Sequence, residues 1–430
     1  MKQERSYPKV YVTNKAERAV KGGHPWVYGE EIRRMEGTPE NGGLVDVLAG
    51  SAYLGTGFYN DASKITVRLI SRSANDRFDA AFWRRRVEYA LRYRRTVMPG
   101  PNFKCCRLIH GEADQMPGLT VDRYDTILSV QVLSLGMERV KDVVFAALLD
   151  VLREMGEDIR GIYERNDVSI RLREGLEEGR GWYPIEGLPA PESAVTEIVE
   201  NGVSYLVDVE NGQKTGFFLD QKYNRAAVAR IAAGKRVLDC FTHTGSFGLN
   251  AAMGGAEHVT SVDISQTAID MAAENARRNG LEDRMSFQCA NVFDLLTELS
   301  EQKCHDYDFI ILDPPAFTKS RQTVQSAIRG YREINRRAMK LLPRGGYLAT
   351  CSCSHFMTDE LFRKMLASAA ADSAVSLRQI EARQQSPDQE FPFYYWKFTC
   401  IMCPRETDRE NLSDKRKGFR SSNRGCGACG

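Results

Sequence analysis

Val237-Leu238-Asp239-Cys240-Phe241-Thr242-His243-Thr244-Gly245-Ser246 is an apolar run that ends on an acid and passes through a glycine turn. It reads as a buried strand whose carboxyl end opens into a helix, with Gly245 letting the backbone come close to a ligand. The turn is not Gly-x-Gly-x-x-Gly, so it gives little support to a dinucleotide pyrophosphate. The next apolar run ends Ser261-Val262-Asp263, 18 residues past Gly245. A carboxylate at the end of that second strand is placed to accept both hydroxyls of a nucleoside ribose.

Working outward, strand-like runs fall at 236–241, 258–263, 285–290, 307–313, 346–353, 375–381 and 393–402. Helical segments separate the first six. One runs from Ser265 to Asn279, with Ser265 as its N-cap, Glu274 and Arg278 at i,i+4, and Gly280 just past its end. Another carries Ile328, Tyr331, Ile334, Ala338 and Leu341 on one face before Pro343. This alternation implies a mostly parallel sheet with helices on both faces. The connection between the last two strands is short and forces an antiparallel neighbour, because a parallel crossover needs about a dozen residues.

Two further segments carry chemistry. Asp308-Phe309-Ile310-Ile311-Leu312-Asp313-Pro314-Pro315-Ala316-Phe317 puts two prolines directly after a buried strand. They fix a rigid loop at the carboxyl edge, where Asp313 can accept hydrogen bonds and Phe317 can stack on a base; a strand simply stopped by Pro-Pro is the plainer alternative. The fifth strand ends Thr350-Cys351-Ser352-Cys353-Ser354-His355, and alternation puts both cysteines on one side, with Cys353 nearer the edge. A thiolate suits attack at C6 of a pyrimidine, which makes C5 nucleophilic. Cys351 reads as packing. Upstream, Gly212-Gln213-Lys214-Thr215-Gly216-Phe217-Phe218-Leu219-Asp220-Gln221 looks like a cofactor-covering segment.

The first 75 residues are short strands punctuated by glycine, a small β-rich module. Residues 76–98 turn helical around Arg77, Arg84, Arg85, Arg86, Arg92, Arg94 and Arg95. Strand-like runs near 119–135 and 159–164 flank a helix near 137–155, and Pro184, Pro189 and Pro191 close this α+β unit near 190. The domains expected are therefore 1–75, 76–190, a catalytic 191–405, and a basic, disordered tail over 406–430.

The net charge of +2 is uneven. Residues 1–98 hold 18 Lys/Arg against 11 Asp/Glu, and residues 405–430 hold 7 against 4. Basic ends around an acidic body suit a polyanionic partner, although ordinary solvated charge has the same pattern. No apolar run approaches the roughly 20 residues of a membrane span. The N-terminus has no apolar signal segment, so a cytoplasmic location is expected. Eleven cysteines make no disulfide scaffold in 430 residues. Cys400/Cys403 and Cys426/Cys429 have zinc-type spacing, but the first pair sits in a strand where the side chains diverge and the second in a Gly/Ser/Arg tail. No metal site is expected.

Gly212–Arg225, Val237–Phe247, Val262–Ser265, Leu312–Phe317 and Ser352–Ser354 together resemble the bacterial 23S rRNA cytosine-5 methyltransferase I family. The likeness extends to Gly23-His24-Pro25-Trp26-Val27-Tyr28 and Leu54–Asn60, similar to that family's PUA module. It also takes in Gly111–Asp114, Pro117-Gly118-Leu119 and Glu164-Arg165-Asn166-Asp167, similar to its central domain. The resemblance implies a Rossmann-like class I methyltransferase domain of seven strands behind a PUA-like module and a central α+β domain. It implies S-adenosylmethionine held by Lys214, Thr215, Phe217, Asp220, Gln221, Asp239, Thr244, Gly245, Asp263, Asn291 and Asp313. It implies 23S ribosomal RNA as substrate, Cys353 as nucleophile and Asp313 polarising the base at N3. Asn291 stands where the family often has an aspartate facing the adenine, and Cys351 and His355 are unusual neighbours for the nucleophile. The basic ends would contact phosphate, and a homodimer is left open. Two other readings stand beside this one: a methyltransferase acting on an exocyclic amine of adenine or guanine, which needs no cysteine, and an RNA-binding protein without catalysis.

Overall fold

The computed structural model describes residues 6–318, 320–389 and 397–403. The chain divides into two compact units. The first runs to Lys222 and takes in a short return from Ser386; the second begins at Tyr223 and takes in the last strand. The tail over 406–430 and the Cys426/Cys429 pair lie outside the described residues, as do the side chains of Cys400 and Cys403.

In the first unit, β1 (Lys9–Val12), α1 (Asn14–Lys21), β2 (Trp26–Val27), β3 (Ile32–Glu36), β4 (Leu44–Ala49), β5 (Ala52–Tyr59) and β6 (Val67–Ser71) come first. Their strands pair in the order β2-β6-β5-β4-β1-β3. Alternating valines at 10, 12, 45 and 47 supply the buried face of this sheet. Next come α2 (Ala80–Val97), β7 (Cys105–His110), β8 (Leu119–Tyr124), β9 (Ile127–Val132), α3 (Leu135–Glu154), β10 (Gly161–Arg165) and β11 (Arg180–Trp182). Here the five strands pair in the order β11-β10-β9-β8-β7. The hairpin β12 (Val195–Glu200) and β13 (Val203–Asp208) completes the unit.

The β-rich sheet is keyed to α2, α3 and the loops beyond them in the same unit. Phe58 stacks on Trp83 of α2 with ring centroids 6.0 Å apart, and Gly136 of α3 meets Phe58 so closely that a Cβ there would lie 2.0 Å from it. Arg68 pairs with Glu112 at 3.1 Å and with Glu174 at 2.8 Å.

Helix α2 corrects one expectation. Arg94 is 2% exposed, on the face that holds Val87, Ala90 and Leu91. Its guanidinium is taken up by Asp114 and by the carbonyls of Arg107 and Asp388. A cation spent in this way does not reach phosphate. Arg84 pairs with Glu88 and Glu154, whereas Arg92 and Arg95 are exposed.

Helix α4 (Lys222–Ala229) leads into the second unit. Its strands are β14 (Arg236–Cys240), β15 (His258–Asp263), β16 (Met285–Cys289), β17 (Phe309–Leu312), β18 (Gly346–Ser352), β19 (Arg378–Arg383) and β20 (Lys397–Cys403). The helices are α5 (Ser246–Met253), α6 (Gln266–Arg278), α7 (Val292–Glu301), α8 (Val324–Leu341) and α9 (Asp359–Asp372). The strands pair in the order β16-β15-β14-β17-β18-β20-β19, and only β20 runs antiparallel. The order reverses between β14 and β17, which makes their carboxyl ends the ligand-binding edge of such a sheet. Helix α6 starts at Ser265, whose side chain accepts from Ala268 N, and Gly280 follows its end at φ 62°.

Candidate active site

The turn after β14 is held under strain. Phe241, His243 and Gly245 have φ of 63°, 52° and 82°, so three left-handed residues fall within five. The two that are not glycine each cost on the order of 1–3 kcal/mol and persist only where surroundings dictate them. Thr242 N donates to Val262 O and Gly245 N to Thr242 O, each at 2.9 Å, so the turn is tied down by its own backbone. A Cβ on Gly245 would lie 3.0 Å from Ala272 of α6, so glycine is required for space as well as for conformation.

Asp239 holds this turn from below. It has no exposed surface, and its Oδ2 accepts from the Thr242 hydroxyl and from Gly248 N at 2.8 Å. Burial pushes its carboxyl up to about 7, against the lowering effect of those two donors. Asp263 pins the turn from the next strand: its Oδ2 accepts from His243 N at 2.9 Å and its Oδ1 from Ser265 N at 3.0 Å. Asn275 of α6 adds a third tie, donating to Thr244 O at 3.1 Å.

The other edge residues belong to the same sheet end. Asp313 N donates to Cys240 O at 3.4 Å, joining the Pro-Pro loop to the end of β14. Strand β18 ends at Ser352, so Cys353 is the first residue beyond it; its thiol is partly exposed and lies 3.8 Å from the Pro314 carbonyl oxygen. Cys351, two residues back, is fully buried, as expected of a packing residue. Phe317 is partly buried and packs against the core. Its ring lies 4.5 Å from Tyr331 and 6.0 Å from Phe293, centroid to centroid, so it anchors its loop to the core. Asn291 caps α7, its side-chain oxygen accepting from Phe293 N at 2.9 Å.

Thus Asp239, Thr244, Gly245, Asp263, Asn291, Asp313 and Cys353 all belong to the second unit. Lys214, Thr215, Phe217, Asp220 and Gln221 belong to the first. There Lys214 pairs with the buried Asp220 at 2.9 Å, and the Thr215 hydroxyl donates to Asp122 at 2.6 Å and lies 2.9 Å from the Tyr124 hydroxyl. The sequence reading missed Gly248 and Asn275. Gly248 admits Asp239, since a Cβ there would meet Asp239 Oδ2 at 2.9 Å. Its signal was a second glycine three residues after the first.

The residues of the second unit fit a nucleoside cofactor. The strained glycine turn and the Asp263 carboxylate stand side by side at the carboxyl ends of β14 and β15. Asp239 Oδ1 and Thr244 Oγ1 are buried polar atoms with no hydrogen-bond partner among the described residues, which a bound polar group would satisfy. A Rossmann-like sheet with a non-pyrophosphate glycine turn and an acid on the second strand is the architecture of a nucleoside-binding domain. The profile of the S-adenosylmethionine-dependent methyltransferases matches residues 181–394, and that of the PUA-like domain matches residues 10–72. The protein is an S-adenosylmethionine-dependent methyltransferase that carries a PUA-like domain.

Its relatives narrow the class. It is 40% identical over 381 residues to the ribosomal RNA large subunit methyltransferase I of Aeromonas salmonicida, covering 88% of this chain and 94% of that one. The Escherichia coli O9:H4 protein of the same name is 38% identical over 367 residues, covering 85% and 90%. The chain belongs to the ribosomal RNA large subunit methyltransferase I family. The fold is shared with a SAM-dependent methyltransferase from Streptococcus mutans, at a TM-score of 0.74 and 24% identity over 92% of this chain and 99% of that one. Among the described residues no helix is long and apolar enough to cross a membrane.

Proposed function

We propose that this enzyme forms 5-methylcytosine in large-subunit ribosomal RNA, with Cys353 as nucleophile. The observation that carries the reading is the partly exposed Cys353 thiol against the Pro314 carbonyl, at the carboxyl edge of the sheet. The names of the relatives, all methyltransferases of large-subunit ribosomal RNA, supply the substrate. Asp239, Thr244, Gly245, Asp263, Asn291 and Asp313 are the residues we assign to S-adenosylmethionine. Lys214, Thr215, Phe217, Asp220 and Gln221 keep their assignment to the same cofactor as part of this proposal.

When bound, S-adenosylmethionine supplies an electrophilic methyl group on a sulfonium. The protein's own part is to prepare the base. Cys353, as thiolate, adds to C6 of an unstacked cytosine, and the electron pair of the C5–C6 bond becomes available at C5. Asp313 polarises the ring at N3. After methylation the C5 proton passes to a base, and elimination across C5–C6 frees the thiolate. Exposed Arg92 and Arg95 of α2 join the PUA-like sheet in holding RNA phosphate. The cytoplasmic location and a homodimer remain part of the proposal.

The product decides between carbon and nitrogen. Ribosomal RNA incubated with purified enzyme and labelled cofactor, then digested to nucleosides, should carry the label in 5-methylcytidine. Label in an N-methylated adenosine or guanosine would replace this reading with amine methylation, which has no use for Cys353.

A further inference from the structure

Tyr331 is fully buried in the middle of α8, yet its polar and apolar parts reach both segments that carry the proposed chemistry. The phenol oxygen lies 2.9 Å from the Ser354 hydroxyl. Ser354 N in turn donates to Ser352 Oγ at 3.4 Å. Both serines have no exposed surface, whereas Cys353 between them is partly exposed. The alternation of an extended chain explains this: two neighbours are anchored inward and the thiol is turned out.

The ring of the same residue meets Phe317, centroids 4.5 Å apart, at the far end of the Asp313–Phe317 loop. The neighbouring Gly330 leaves room for that contact, because a Cβ there would lie 3.1 Å from the Phe317 ring. The two segments also touch each other directly where the Cys353 thiol meets the Pro314 carbonyl. Phenylalanine at 331 would fill the same space and keep the Phe317 contact. It would take away the Ser354 hydroxyl's partner at 2.9 Å.

We propose that Tyr331 is a positioning residue that fixes Cys353 relative to Asp313, through its hydroxyl to Ser354 and through its ring to Phe317. The role rests on the reading of Cys353 and Asp313 given above. It requires no contact between Tyr331 and RNA or cofactor. The hydroxyl therefore acts on the chemical step and leaves binding alone.

The test is a double-mutant cycle in the full chain with Tyr331→Phe, Ser354→Ala and the pair, read by steady-state methylation of RNA. Displacing a reacting group by a fraction of an ångström should lower kcat of Tyr331→Phe by about 10-fold or more, with KM for RNA and cofactor within about 2-fold. The pair should be no slower than the worse single variant, because both remove one contact. A wild-type kcat in Tyr331→Phe, or effects that multiply in the pair, overturns the proposal. Should Tyr331→Phe lose its cooperative melt, Ser354→Ala reads the same contact from the other side, and wild-type kcat there is equally fatal. The cycle follows methyl transfer to any base atom, so its outcome is separate from that of the nucleoside analysis.

Discussion

Asp239 gives up all contact with solvent to hold two donors of a strained turn, and that makes it sensitive to pH. Its carboxyl stands at about 7, above the ordinary 3.8, so the folded protein binds this proton more tightly than the unfolded chain does. Stability from this group is full below about pH 4, is lost as pH rises toward 7, and is flat beyond. Asp239→Asn should remove that slope, so wild type should lose on the order of 3 kcal/mol relative to the variant between pH 4 and 7 in urea unfolding. A constant difference across that range contradicts the assignment. The 18-residue spacing after Gly245 marks Asp263 as a candidate ribose acceptor. Its tie to His243 N is not marked in this way, because a backbone donor leaves no trace in a side-chain pattern. Asp263→Ala should weaken S-adenosylmethionine binding by about 1–3 kcal/mol through lost acceptors and a loosened turn. Calorimetry giving unchanged affinity removes it from the site. Phe317 and Asn291 were found by position, but the sequence could not say that one faces the core and the other caps its own helix.

Helices and strands were the most legible level, since period and length identify them almost without tertiary help. Every strand expected from 236 onward has a counterpart, and at 346–353 the expected run outlasts the hydrogen-bonded ladder by one residue. Cys353 falls just beyond the ladder for that reason. Helical spacing sorts the arginines of α2. Arg94 follows Val87 and Leu91 at i+7 and i+3 and so turns inward, while Arg92 and Arg95 turn out. Replacing Arg92 and Arg95 with alanine together should weaken RNA binding and reduce the slope of log K against log salt by about 1–2, with the melting temperature nearly unchanged. Arg94→Ala should cost about 3–5 kcal/mol of stability, because it leaves Asp114 and two carbonyls without their cation. A double variant with the wild-type salt slope removes α2 from the RNA surface.

At the scale of the whole molecule, the parallel pairing of β14 to β18 follows from the alternation of strands and helices. What sequence did not reveal is how far the β-rich front belongs with the residues after it. Arg68 is bonded to Glu112 and Glu174, each far along the chain, and single residues of opposite charge give no hint of such pairing. The chemistry assigned to the molecule is more exposed to test than its fold. Addition of Cys353 to C6 forms a covalent enzyme–RNA bond that is released only when the C5 proton leaves. Fluorine at C5 cannot leave as a proton, so RNA containing 5-fluorocytidine at the target, incubated with enzyme and S-adenosylmethionine, arrests the reaction at that bond. The measurement is denaturing electrophoresis of that mixture. Wild type and Cys351→Ala should each give a complex that survives denaturation, and Cys353→Ala should give none while binding cofactor normally. A complex formed by Cys353→Ala, or Cys353→Ala that still methylates ordinary RNA at the wild-type rate, contradicts the account.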